Sequence, residues 1–122
     1  MTIEIERIER SGKACAAIRG TEKVITDAQS ALELLMNANA AAGTKSLVVS
    51  KKLIAEEFFI LSSGMAGKVL QKLINYGGRI AIYGDFTHYT SKPLRDFMYE
   101  SNKGRDVHFA ATEDEAVAAM TR

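Results

Sequence analysis

In Arg79-Ile80-Ala81-Ile82-Tyr83-Gly84-Asp85 an unbroken apolar run of strand length stops abruptly at a glycine and an acid. A strand with one wet face alternates apolar and polar residues, whereas a strand covered on both faces reads as a continuous apolar run. The segment therefore predicts a buried central strand, and Leu47-Val48-Val49 predicts another. The chain between them supplies a helix. Ser62 or Ser63 opens it, Ala66, Val69, Leu70, Leu73 and Ile74 mark its apolar side, and Gly77-Gly78 stops it. Parallel strands are joined by helical crossovers of this kind.

Working outward, the pattern repeats. Upstream, Thr26 is placed to cap a helix with Gln29 three residues on. Ala28, Ala31, Leu32, Leu35 and Ala38 follow at helical spacing, and Gly43 ends the segment. Before it, Ile3 and Ile5 have strand spacing, but Ile8 falls out of that phase, which predicts a twist or bulge near Glu6-Arg7. Ser11-Gly12 is a two-residue turn signal. Residues 13–19 return as a second strand, whose small Ala14, Cys15, Ala16 and Ala17 predict close packing under a helix. Downstream, Ser91 starts a third helix with Pro93 in its first turn, where the missing N–H costs nothing. Leu94, Phe97 and Met98 form its apolar face, and Gly104 ends it. Val107-His108-Phe109 is a short last strand, and Thr112 with Glu115 caps a helix carrying Ala116, Val117, Ala119 and Met120. Residues 53–61 predict a loop with a helical turn, with one of Phe58 and Phe59 plugging the core and the other left on the surface.

The expected fold is α/β. It has a single mixed sheet of about five strands with four helices, in the order ββαβαβαβα, forming one domain over residues 1–122. Right-handed crossovers make the later strands parallel and gather the loops that follow them at one edge, the usual place for a site in open α/β sheets.

Composition narrows the classes of function. Sixteen Lys and Arg against fifteen Asp and Glu leave a formal charge of +1. A nucleic-acid binder ordinarily needs a basic excess to neutralise phosphates, so no nucleic-acid partner is expected. Lys51-Lys52 is a local basic pair large enough for one anion at most. No apolar run approaches the ~20 residues of a membrane span, so no membrane association is expected. The opening Met1-Thr2-Ile3-Glu4-Ile5-Glu6 lacks the basic start and long apolar stretch of a secretory leader. With the lone Cys15, this points to a reducing, cytoplasmic setting. Burial among alanines would raise the Cys15 thiol pKa rather than activate it. His88, His108, Cys15 and Asp85 have no metal-ligand spacing, and Gly64-Met65-Ala66-Gly67 matches no nucleotide-binding pattern, so no metal or cofactor is expected.

Three groups of residues are candidates for function. Ser62 and Ser63 place hydroxyls at a helix N-terminus, where they serve either as an ordinary cap or as a phosphorylation site that switches a partner surface. Gly84-Asp85-Phe86-Thr87-His88-Tyr89-Thr90-Ser91 is the richest polar segment. There Asp85 could orient His88 as a general base with Tyr89 as a second proton carrier, or the segment is a surface loop with a turn and a cap. Arg95 and Tyr99 share a helix face, and Arg95 near the helix start could bind a carboxylate or phosphate at the same edge. The basic Asn102-Lys103-Gly104-Arg105 is explained by complementing the helix dipole.

The element order resembles the STAS domain, the fold of bacterial anti-sigma-factor antagonists. In that family Asp-Ser-Ser-Gly-Leu-Gly opens the second helix and carries a phosphorylated serine. Leu61-Ser62-Ser63-Gly64-Met65-Ala66-Gly67 stands in the corresponding place, with Leu61 where the family has Asp. Longer strings resemble an uncharacterised bacterial family, domain of unknown function 4180. These are the runs Ala66 to Tyr76, Ala81 to Phe86 and Thr90 to Arg105. That family's pattern has an acidic residue where Ile60 stands and a basic residue with Thr where Ser62-Ser63 stand, so it does not itself imply a phosphoserine here. Two functions follow. The first is a regulatory or protein-interaction module without catalysis of its own, with Phe58 and Phe59 as a partner or homodimer surface. The alternative is a small enzyme or ligand-binding domain using the strand-end edge around Asp85, His88 and Arg95.

Overall fold

The computed structural model describes residues 3–122, so Met1 and Thr2 of the N-terminal alternation lie outside the described residues. The strands are β1 (Glu4–Arg10), β2 (Lys13–Arg19), β3 (Ser46–Ser50), β4 (Arg79–Tyr83) and β5 (Val107–Ala110). The helices are α1 (Ala28–Ala42), α2 (Met65–Asn75), α3 (Lys92–Lys103) and α4 (Glu113–Met120). The five strands form one mixed sheet in the spatial order of the chain, β1-β2-β3-β4-β5, with β1 antiparallel and the others parallel. This is the expected α/β order.

Because every crossover steps one strand in the same direction, a single handedness puts α1, α2 and α3 on the same face. Ile18, Leu47, Ile80, Ile82 and Phe109 pack against them there. The chain then passes β5, and α4 covers the other face over Cys15, Val48 and Ala81. Small residues in β2 and β4 meet the alanine-rich Ala116 and Ala119 of α4, so helix and sheet approach closely, as the small residues of the second strand predict. Burial raises the pKa of the Cys15 thiol, which is an inert part of this core.

The hairpin corrects one expectation. Its ladder runs without interruption from the Glu4–Arg19 pair to Arg10–Lys13, so there is no bulge near Glu6-Arg7. Ile8 is out of phase because it serves the other face: Ile3 and Ile5 pack toward α1–α3, whereas Ile8 packs toward α4. At the turn, Ser11 (φ 54°) and Gly12 (φ 80°) both take positive φ, the requirement of a type I′ hairpin.

Helix starts follow their caps with two changes. Ser91 and Thr112 cap α3 and α4 as expected. The cap of α1 is Asp27, not Thr26: its carboxylate accepts the Ser30 N–H at 2.7 Å while Ser30 Oγ accepts the Asp27 N–H at 3.1 Å. Asp is the stronger capping residue, and Ser30 closes the box in place of Gln29. Neither Ser62 nor Ser63 is the first residue of α2. They end a 3-10 turn (Leu61–Ser63), and Gly64 stands at the cap position with φ 78°. Ile74 is 42% exposed, one step round the helix from the buried stripe of Val69, Leu70 and Leu73.

Residues 51–63 form three short 3-10 turns, Lys51–Leu53, Glu56–Phe59 and Leu61–Ser63. Phe58 and Phe59 are 1% and 3% exposed, so neither is on the surface. Consecutive residues of a 3-10 turn can both reach inward when aromatic neighbours close over them, and Phe86 and Tyr89 do so around Phe59. The exposed apolar residue of this stretch is Ile60.

Candidate functional site

The connection after β4 runs to α3 on one face, and the connection after β5 runs to α4 on the other. Where neighbouring strands send their chains to opposite faces, the loops diverge and leave a crevice at the strand ends. An open cleft of about 800 Å³ lies there. Phe86, Met98, Phe109 and Ala110 give it an apolar floor, and Asp85, Arg95, Asn102 and Glu115 stand around it. Ion pairs tie the first turn of α4 to the hairpin: Arg19 holds both Glu6 and Glu113, and Arg10 Nη2 lies 2.7 Å from Asp114 Oδ1.

The 84–91 loop is fastened by aromatic packing. Phe86 meets Phe109 edge-on with centroids 5.8 Å apart, and Tyr89 stacks on Phe59 at 5.5 Å. Lys51, immediately after β3, lies beneath it, with Nζ 4.6 Å from the Tyr89 ring centroid and 5.8 Å from that of Phe86. Lys51 Nζ donates to the Tyr89 hydroxyl at 3.2 Å, and that hydroxyl donates to Glu56 Oε1 at 2.8 Å. Burial, and then the bond to Glu56, hold the Tyr89 pKa well above the ordinary tyrosine range. Tyr89 therefore keeps its proton near neutrality and is no base.

Asp85 is also occupied. Its Oδ1 accepts the Thr87 hydroxyl at 2.6 Å and the Thr87 N–H at 2.9 Å, closing a local turn. These bonds, the hydroxyl's first, hold its carboxyl below the usual range. His88 is exposed and packs at a tilt on Tyr89 with centroids 4.2 Å apart, and it donates no hydrogen bond to Asp85.

The candidates thus fall into two places. Asp85, Tyr89 and Arg95 line the cleft; Ser62, His88 and the other side of Tyr89 line a neighbouring depression of about 680 Å³. His88 and Arg95 do not share a pocket, and Tyr89 lines both depressions. Among the described residues no group of three or more His, Cys, Asp or Glu side chains is close enough to hold a metal ion.

The two serines differ. Ser63 Oγ donates to the Glu57 carbonyl at 2.7 Å and accepts the Met65 N–H at 3.2 Å, so from the position before the Gly64 cap it satisfies the first N–H of α2. Ser62 is exposed, and its hydroxyl makes no hydrogen bond among the described residues. Ser63→Ala is expected to lose about 1 kcal/mol of stability, the usual cost of a lost cap. Ser62→Ala should stay within about 0.5 kcal/mol of wild type. Urea unfolding of both variants checks this; equal losses would contradict the division of roles.

Sequence reasoning missed Lys51 and Asn102 as parts of this edge. Lys51 shares the signal that singled out Asp85, since it directly follows a buried strand. Asn102 reads as one member of a basic helix end, yet it clamps the outer edge of the sheet. Its Oδ1 accepts the Phe109 N–H at 2.7 Å and its Nδ2 donates to the Phe109 carbonyl at 3.1 Å. The outward-facing backbone of an edge strand is thereby covered.

The family model described as Domain of unknown function (DUF4180) matches residues 10–120. No curated protein matches the chain. No helix among the described residues is long and apolar enough to cross a membrane.

Proposed function

We propose that this chain, which belongs to the DUF4180 family, is a protein-interaction module without catalysis of its own. Its strand-end cleft receives an acidic or phosphorylated side chain of a partner, with Arg95 as the recognising cation. One observation carries the reading. Arg95 stands exposed on the cleft wall with no ion-pair partner among the described residues, while Asp85, Tyr89 and Lys51 are spent on contacts within the protein. An uncommitted guanidinium over an apolar floor suits a carboxylate or phosphate on an otherwise apolar segment. The element order that resembles STAS domains supports a regulatory role of this kind. Ser62 supplies the means of control, because a phosphoryl group there would add about −1.5 to −2 charges beside His88 without disturbing a cap.

The enzyme reading has less support. It needs Asp85 to orient His88 and Arg95 to face both, and the Asp85 carboxylate is tied to Thr87 while His88 and Arg95 line separate depressions.

The test is retention of partners from native cell extract on immobilised protein. Arg95→Glu is expected to lose the proteins that wild type retains, and Ser62→Asp to change their amounts with thermal unfolding unaltered. Identical retained sets for wild type and Arg95→Glu would overturn the proposal.

A further inference from the structure

The opposite edge of the sheet, where the parallel strands begin, carries charge of one sign. Lys13 at the start of β2, Arg79 at the start of β4, Lys103 and Arg105 around the end of α3, and Arg122 beyond α4 line one concavity of about 440 Å³. In a chain of formal charge +1 this is not average surface. Glu100 is spent on Lys103 at 3.3 Å, and Asp106 offsets part of the charge on Arg79. The ends of α3 and α4 lie here too, and a helix C-terminus contributes about half a negative charge. The five cations outnumber these, so the concavity is net positive.

Arg79 and Arg122 are held by neutral acceptors rather than by carboxylates. Arg79 Nε donates to the Arg105 carbonyl at 2.7 Å and its Nη1 to the Met120 carbonyl at 3.4 Å. Lys13 Nζ donates to the Arg122 main-chain oxygen at 2.8 Å. Arg122 Nη2 lies 2.6 Å from His108 Nε2, which must be unprotonated to accept from a guanidinium. Burial, and then the charge of Arg122, hold the His108 pKa below its ordinary value and keep it in that acceptor form. Burial and the neighbouring Arg105 and Arg122 likewise push the Arg79 pKa down, so gathering these charges costs free energy. Each guanidinium has five donors, and Arg79 uses two of them on carbonyls.

We propose that this concavity binds a small polyanion of the diphosphate class, free or as part of a nucleotide. Arginine forks match phosphate oxygens in pairs, and two linked phosphoryl groups offer more such oxygens to several cations than one tetrahedral ion does. The volume suits a small molecule, and a near-neutral chain lacks the extended basic stripe that a nucleic acid requires. This site lies away from the strand-end cleft and does not depend on the role of Arg95.

Calorimetric titration with inorganic pyrophosphate at fixed ionic strength tests it, with ADP and sulfate run alongside. Wild type is expected to bind pyrophosphate at least tenfold more tightly than sulfate. Arg79→Gln and Arg105→Gln should each weaken it at least tenfold, and Lys52→Gln should not. Arg105 is exposed, so its variant keeps the fold even if loss of Arg79 does not. ADP binding as tightly as pyrophosphate assigns the site to a nucleotide, and weaker ADP binding assigns it to free diphosphate; either supports the proposal. Pyrophosphate binding no tighter than sulfate, or unchanged in Arg105→Gln, overturns it. So does a single-stranded oligonucleotide that displaces pyrophosphate at lower concentration.

Discussion

Replacing Phe58 with alanine is expected to lower the unfolding free energy by about 3–5 kcal/mol, the range for emptying a buried phenylalanine site. The ring is 1% exposed and meets Phe59 at 5.0 Å and 63°, so it loses both burial and an edge-to-face partner. It sits in the 3-10 turn Glu56–Phe59, a single short turn rather than a long helix. A domain of this size is stable by only about 5–15 kcal/mol, so the loss is a large share of the total. Ile60→Ala, two residues on and 51% exposed, should change stability by less than about 0.5 kcal/mol. Urea unfolding distinguishes the two. A loss below about 1 kcal/mol for Phe58→Ala would mean that the ring is not a core element.

Gly84→Ala is expected to cost about 3 kcal/mol and to loosen the whole 84–91 loop. Gly84 has φ 155°, and a Cβ there would lie 2.6 Å from Lys51 Cγ and 2.8 Å from Cδ. The lysine stem cannot simply swing away, because its ammonium is bonded to Tyr89 and lies against the Phe59 and Phe86 rings. Moving it breaks the Lys51–Tyr89–Glu56 chain and releases Tyr89, which lines both the cleft and the His88 depression. The expected signature is therefore double: a lowered melting temperature and faster amide exchange across residues 84–91. Retained stability and unchanged exchange would show that Lys51 does not fasten the loop.

The sheet was legible in the sequence because its central strands are covered on both faces, which writes Leu47-Val48-Val49 and Ile80-Ala81-Ile82 as continuous apolar runs. Ile8 was misread because a phase change looks the same whether a strand bulges or changes the face it serves; only the position of α4 decides. The aromatic pair was misread for a similar reason. What covers Phe59 is Phe86 and Tyr89, about thirty residues on, and hydrophobicity along the chain does not name its partners. That Asp85, Tyr89 and Arg95 share one edge was legible because polar residues after a buried strand collect there. The separation of His88 from Arg95 was not visible, since nothing in the intervening loop and helix start shows that the two side chains line different depressions. The basic concavity is the extreme case. Only Lys103 and Arg105 show as a local basic run; Lys13, Arg79 and Arg122 are scattered along the chain and meet them because parallel strands all start at one edge.

Photocrosslinking from the cleft itself tests its role most directly. Ala111 is exposed and lines the cleft, so a benzophenone amino acid placed there reaches whatever the cleft holds in living cells. The expected result is a discrete adduct with one protein, mapped to a segment carrying an acidic or phosphorylated side chain, and lost when Arg95→Glu is added. No adduct, or the same adduct with Arg95→Glu, would contradict the binding role of the cleft.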